Sequence, residues 1–66
     1  MQLQINGETR ELPDGASVTH VLSTFGLGDD RVAVEHNGRI VERAQYDVTV
    51  LREADALEIV RFVGGG

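Results

Sequence analysis

The sequence predicts an α+β domain in which one main helix packs on one face of a mixed sheet of four or five strands. Two Asn-Gly pairs, at positions 6–7 and 37–38, each follow an apolar segment and are typical of two-residue hairpin turns. Between these pairs, apolar residues recur at helical spacing in a single stretch. A chain of 66 residues leaves room for one domain. We therefore expect a folded domain over 1–63 and a flexible Gly-Gly-Gly tail over 64–66.

The first hairpin is predicted from alternation and from its turn. Leu3 and Ile5 alternate with glutamines, which is the period-two pattern of a half-buried strand. After the turn, a polar strand over 8–12 has Leu12 as its clearest inward residue. The Pro-Asp-Gly sequence at 13–15 then ends this strand.

The helix is predicted from one apolar stripe between two end signals. Ser17 is the predicted N-cap, because its hydroxyl can accept a hydrogen bond from a free amide of the first turn. Gly26 stands where a left-handed residue commonly ends a helix. A helix this short is not stable alone in water, so its stripe must pack on the sheet. The stripe consists of Val18, Val21, Leu22 and Phe25.

The second half of the chain supplies the remaining strands. Residues 32–36 are rich in β-branched side chains, and the second Asn-Gly pair turns the chain into a strand over 39–41. Residues 57–63 form the last strand. A right-handed crossover after the hairpin places this strand beside the first one, in parallel. This is the β-grasp plan; a ferredoxin-like domain would need a second helix, for which the sequence has no periodic stretch.

The segment between the fourth and last strands is harder to assign. Residues 42–47 are polar and predict an irregular segment or a short helical turn, with Tyr46 as the only large apolar side chain. Val48 and Val50 predict a brief extended piece that either includes Leu51 or ends before it. Residues 52–55 form a charged turn.

Composition excludes several classes of function. The chain has no cysteine, which excludes disulfides, thiolate metal sites and a cysteine nucleophile, and no lysine, which excludes Schiff-base chemistry. A net charge of −5 argues against a nucleic-acid partner. No apolar run is long enough to span a bilayer and no signal-peptide pattern is present, so we expect a cytoplasmic protein without membrane contact. His20 and His36 lie on different predicted elements, which indicates two solvated histidines rather than a metal site.

The three consecutive glycines after the last strand are the most informative feature. Gly64, Gly65 and Gly66 have no side chains. A tail of three glycines can therefore enter a narrow channel and bring a free α-carboxylate to a reacting centre. A carboxylate must first be activated, for example as an acyl-adenylate made with ATP. The sequence has no phosphate-binding motif, so we expect ATP to be used by a partner enzyme. The alternative interpretation is a frayed end or a leftover linker.

Alternation along the last strand suggests a docking surface beside the glycines. Leu57 and Ile59 share one face of the strand, and we expect this face to pack in the core. Val60 and Phe62 then lie on the other face. We expect these two residues and the adjacent Val63 to form an apolar patch that docks a partner. The alternative is that a loop covers them, which leaves the exposure of Phe62 open. Arg61 either pairs with an acidic residue of the partner or shields a sheet edge.

The last fifteen residues also carry a resemblance to a known family. They read READALEIVRFVGGG and resemble the C-terminus of the ThiS family, the ubiquitin-like sulfur carriers of thiamine biosynthesis. The resemblance extends to the chain length, the Asn-Gly turn at 6–7, the predicted helix, the Val-Glu-His-Asn sequence at 34–37 and the Ile-Val-Glu-Arg sequence at 40–43.

The resemblance implies a specific role for the glycines. A ThiF-type enzyme adenylates the C-terminal Gly66, a sulfur-donor protein helps convert it to a thiocarboxylate (1-thioglycine), and thiazole synthase (ThiG) receives the sulfur. Gly65 is then the neighbour threaded into the partner's active site, and Gly64 precedes it. The chain is accordingly not an enzyme but a protein co-substrate, with no catalytic residue and no bound cofactor of its own.

Two other functions remain open from the sequence. A molybdopterin-synthase small subunit has the same fold and a Gly-Gly end, but it is usually longer and commonly has prolines before the glycines. The other is a non-catalytic ubiquitin-like interaction module, in which the glycine tail would have no role.

Overall fold

The strands and the helix occur in the predicted order. The computed structural model describes residues 1–62. The sheet has five strands in the order β2-β1-β5-β3-β4. The elements are β1 Gln2–Ile5, β2 Glu8–Glu11, α1 Val18–Thr24, β3 Val32–His36, β4 Arg39–Val41, a short 3₁₀ helix Arg43–Gln45, and β5 Ala56–Arg61. β1 pairs in parallel with β5, and the other neighbours are antiparallel, which confirms the mixed sheet and the β-grasp plan.

Both Asn-Gly pairs form the predicted tight turns. Asn6 and Gly7 have φ angles of 52° and 82°, and Asn37 and Gly38 have φ angles of 51° and 84°. A type I′ turn requires positive φ at both central residues, and its twist matches that of the flanking strands. These turns therefore set the β1–β2 and β3–β4 registers.

The helix begins and ends at the predicted residues. Ser17 Oγ accepts a hydrogen bond from the backbone N–H of His20 at 3.2 Å, so the N-cap is confirmed. Gly26 has a φ of 72°, the left-handed conformation that ends a helix. Three members of the stripe are buried, whereas Phe25 at its end is half-buried against the core.

The core lies between α1 and one face of the sheet. Burial alternates along β1 and β5, where every second residue faces the helix. Segments outside the regular elements complete this core. Its members are Leu3, Ile5, Leu12, Ala16, Val18, Val21, Leu22, Val34, Leu51, Leu57 and Ile59.

The extended piece predicted around Val48 and Val50 is confirmed at Val50, whereas Val48 lies in a turn. Only Val50 forms a single β-bridge, to Ser17, and both valine side chains are exposed. Leu51 is the buried residue of this segment. The cause is tertiary, because the backbone N–H of Leu51 donates to the carbonyl of Ala16 at 2.9 Å and so aims the Leu51 side chain inward.

Two strand ends differ from their predicted positions. β2 ends at Glu11, with Leu12 buried just beyond it. β5 ends at Arg61, although the backbone N–H of Phe62 still donates to the carbonyl of Arg31 at 2.9 Å. The predicted end of this strand at Val63 lies outside the described residues.

Candidate functional site

The central strand β5 separates core residues from exposed ones, as predicted. Leu57 and Ile59 are 1% and 9% exposed, whereas Val60 and Phe62 are 56% and 57% exposed. The helix covers only the face that carries the first pair. The open question about Phe62 is therefore decided in favour of exposure, while docking through this residue stays a prediction.

The uncovered face of the sheet carries apolar side chains close to the end of β5. The register places Ala33 of β3 directly opposite Val60. Two residues earlier in β5, Glu58 lies opposite Glu35 of β3, and Glu35 in turn lies opposite Ile40 of β4. Since Ile40 is strongly exposed, this open face combines apolar side chains with two carboxylates. The exposed apolar side chains grouped on this face are typical of a surface that binds another protein.

A cleft lies where β5 ends. It has a volume of about 330 Å³, and we call it the exit cleft. The hydroxyl of Tyr46 donates to the carbonyl of Val32 at 3.3 Å and thereby holds the Tyr46 ring at the cleft. The cleft is lined by Asp30, Arg31, Val32, Arg43, Tyr46 and Phe62.

An ion pair beside this cleft corrects the prediction for Arg61. Arg61 Nε lies 2.9 Å from Asp30 Oδ2, so Arg61 has an acidic partner within its own chain. Sequence reasoning missed the pair because its members are far apart along the chain and meet only when β5 lies beside β3.

A polar cluster holds the opposite end of β5. His36 Nε2 lies 2.7 Å from Asp55 Oδ2, and Asn37 Nδ2 donates to Asp55 Oδ1 at 3.1 Å. The backbone N–H of Arg52 also donates to Asp55 Oδ2 at 2.9 Å. Burial alone would raise the pKa of the Asp55 carboxyl, but the hydrogen bonds from His36, Asn37 and Arg52 outweigh it and hold this pKa below its ordinary value.

The expectation of two solvated histidines is half wrong. His20 is exposed on α1, but the side chain of His36 is only 25% exposed and pairs with Asp55. The pairing follows from the antiparallel register of β3 and β5, which brings His36 opposite Leu57 and thus close to the residues before β5. In the sequence these partners are nineteen residues apart.

The asparagines of both turns also hold β5. Asn6 Oδ1 accepts from the backbone N–H of Ile59 at 2.7 Å, and Asn6 Nδ2 donates to the carbonyl of Ile59 at 3.1 Å. Asn37 accepts from the backbone N–H of Ala56 at 2.8 Å through Oδ1 and donates its own N–H to the carbonyl of Ala56 at 2.7 Å. The sequence indicated turns here but not these side-chain bonds, which fix the direction in which β5 leads toward Phe62.

Two further properties concern residues 1–62 as a whole. No group of three His, Asp or Glu side chains in this range could hold a metal ion. In the same range, no helix is long and apolar enough to cross a membrane.

Comparison with known proteins adds the family. The sequence model of the ThiS family matches residues 3–66. The sulfur carrier protein ThiS of Bacillus subtilis is 35% identical over 65 residues, which cover 97% of this chain and 98% of that protein. The crystal structure of the thiamine biosynthesis protein (ThiS) from Geobacter metallireducens superposes with a TM-score of 0.84 at 35% identity and full coverage of both chains. The chain belongs to the ThiS family.

A longer relative extends this comparison. The thiazole synthase of Magnetococcus marinus is 38% identical over 66 residues, which cover all of this chain but 20% of that protein. This ThiS-family chain thus spans about a fifth of the length of that relative. A segment similar to it therefore occurs within a thiazole synthase.

Membership of the ThiS family confirms the resemblance seen in the sequence, but it leaves the predicted site residues untested. Val63, Gly64, Gly65 and Gly66 lie outside the described residues. Their roles, and docking through Val60 and Phe62, stay predictions.

Proposed function

We propose that this chain is a sulfur carrier of thiamine biosynthesis and that Gly66 carries the sulfur as a thiocarboxylate. The observation that supports this most directly is membership of the ThiS family, since the match extends through the three glycines at 64–66. The proposal requires a free α-carboxylate on Gly66.

The chemistry needs two steps on that carboxylate. A carboxylate oxygen of Gly66 first attacks the α-phosphorus of ATP, and pyrophosphate leaves, so that an acyl-adenylate forms. Sulfur at the oxidation level of sulfide, supplied by a donor protein, then attacks the acyl carbon; the bond from that carbon to the AMP oxygen breaks, AMP leaves, and the thiocarboxylate forms. The chain has no cysteine and no nucleotide-binding motif, so both the sulfur and the site for ATP belong to other proteins.

The proposed partners are a ThiF-type adenylating enzyme, a sulfur-donor protein and a thiazole synthase, in the cytoplasm where ATP is available. The occurrence of a similar segment within a thiazole synthase supports the last of these. The apolar side chains of the open face, Val60 and Ile40 among them, support docking of a protein there. We propose that Phe62 and Val63 extend this contact and that Gly64 and Gly65 thread into the partner's active site.

Mass spectrometry of the intact protein tests the proposal. The full-length natural protein is incubated with ATP, a sulfur donor and an adenylating enzyme known to activate its own carrier. We expect a mass increase that matches the exchange of one oxygen for one sulfur, located on Gly66 by fragmentation. An unchanged mass with a competent enzyme would contradict the carrier role and would favour the alternative function of a non-catalytic interaction module.

A variant without Gly65 and Gly66 is the matched control. It should melt at the same temperature as the natural chain and fail to be adenylated. A large drop in melting temperature would instead assign these glycines to the packed structure. Co-purification with thiazole synthase, rather than with a molybdopterin-synthase large subunit, separates the two carrier functions.

A further inference from the structure

The exit cleft carries positive charge that the folded domain does not neutralise. Arg31 and Arg43 line it, and within residues 1–62 neither guanidinium forms an ion pair. Among the described residues that line the cleft, the one carboxylate is that of Asp30, which is already paired with Arg61 at 2.9 Å. This local excess of cations lies in a chain whose net charge is −5.

The walls of the cleft suit a partner side chain that is charged at its tip. Tyr46 is held by its hydrogen bond to Val32, and Phe62 exposes more than half of its surface beside the two arginines. Arginine binds a carboxylate through two parallel N–H···O bonds, and it is enriched with aromatic residues in protein interfaces. A volume of about 330 Å³ is large enough to admit one side chain of this kind.

The position of the cleft decides which protein meets it. Phe62 precedes Gly66 by four residues, and a chain of that length spans at most about 14 Å. Any enzyme that holds the carbonyl of Gly66 in its active site therefore has atoms within that distance of Phe62. Part of its surface therefore lies near the exit cleft, which Phe62 lines.

We propose that Arg31 and Arg43 together bind a carboxylate side chain of the adenylating enzyme and so orient the carrier on it. This inference rests on the proposed function and adds to it the chemistry of one contact. Both arginines are exposed. The contact therefore raises the rate of encounter and sets the orientation of the docked carrier, and it adds less to affinity than a buried contact would.

A double charge reversal, Arg31→Glu with Arg43→Glu, tests the contact. The adenylating enzyme is assayed by ATP–pyrophosphate exchange with the full-length carrier as the varied substrate. We expect the KM for the carrier to rise about tenfold or more and kcat at saturating carrier to stay unchanged, because the lost interaction is a binding one. Added salt should raise the KM of the natural carrier more than that of the variant.

The matched control reverses two arginines at the other end of β5. Arg39 lies in the strand that follows the 37–38 turn, and Arg52 lies in the turn before β5, so neither lines the exit cleft. The variant Arg39→Glu with Arg52→Glu changes the net charge by the same amount. Its KM should stay within about twofold of the natural value, as expected for charges remote from the contact.

The outcomes separate this inference from the proposed function. If the natural carrier is not adenylated, the proposed function fails and the inference fails with it. If the natural carrier is adenylated but the exit-cleft variant keeps its KM, or both double variants lose affinity equally, the inference alone is wrong. A rise in the KM for ATP instead of the carrier would assign the arginines to nucleotide phosphates, which also overturns it.

Discussion

The two ends of β5 differ in how many contacts the rest of the chain makes with them. At its start, Asp55 and Ala56 are tied to His36 and Asn37 by side-chain and backbone hydrogen bonds. At its far end, Val60 and Phe62 expose more than half of their surface. One strand of six residues thus leads from a region held by its own chain to one that leaves its side chains open.

This difference separates folding from binding along a single strand. Polar groups at the start of β5 form hydrogen bonds with one another, so they stabilise the fold and fix the register of the strand. Apolar and cationic groups at the far end contribute little to folding and remain available to another protein. Substitutions along β5 should therefore change stability, partner binding or pH dependence according to their place, rather than all three together.

The largest expected effect concerns the side of β5 that faces the helix. Leu57→Ala should lower the free energy of unfolding by about 2–5 kcal/mol, because it removes buried methyl groups and leaves a cavity. Val60→Ala on the opposite side should change it by about 0.5 kcal/mol or less. Urea denaturation of both variants measures the contrast. Equal losses would mean that the open face is packed and that β5 does not divide core from surface.

A smaller loss is expected at the start of β5. Asp55→Asn replaces a carboxylate that accepts three hydrogen bonds, and it should cost about 1–3 kcal/mol at neutral pH. Asp29→Asn is the matched control, since Asp29 is exposed and forms no ion pair within the described residues. This control should stay within about 0.5 kcal/mol of the natural chain.

The same substitution predicts a pH dependence. The pKa of Asp55 is lower in the folded protein than its ordinary value of 3.8. Its carboxylate therefore stabilises the fold fully above that ordinary value, and the contribution is lost as the pH falls through the lower pKa of the folded state. The stability gap between the natural chain and Asp55→Asn should accordingly close on acidification below pH 3.8. A gap that persists in acid would contradict the assigned role of the ionised carboxylate.

Much of this fold was predictable because it depends on local signals. The turns at 6–7 and 37–38 require residues that tolerate positive φ, and the α1 stripe follows the helical repeat. Alternation along β5 likewise predicted which of its side chains face the core. These features depend on neighbours within a few positions, which a single sequence displays directly.

Apart from the strand ends, the errors involve contacts between distant segments. The His36–Asp55 and Arg61–Asp30 pairs arise only when β3 and β5 lie side by side. The inward turn of Leu51 depends on a backbone bond to Ala16. Nothing in the local spacing of these residues distinguishes them from solvated ones, so single-sequence reasoning had no signal for them.

The smallest expected effect on stability lies at the far end of β5. Phe62→Ala should change the free energy of unfolding by about 0.5 kcal/mol or less, because most of this ring is exposed. Burial in the core would instead cost about 3–5 kcal/mol. Phe25→Ala is the matched aromatic control: Phe25 packs half-buried against the core, so its loss should exceed about 1 kcal/mol.

The same variant should act on binding instead. In the ATP–pyrophosphate exchange assay, Phe62→Ala is expected to raise the KM for the carrier by about tenfold, as loss of an aromatic contact residue does in protein interfaces. Phe25→Ala, measured below its melting temperature, should leave that KM unchanged. A Phe62→Ala carrier that keeps both its stability and its KM would mean that the exposed ring serves neither the fold nor the partner, and the two ends of β5 would then differ in exposure but not in function.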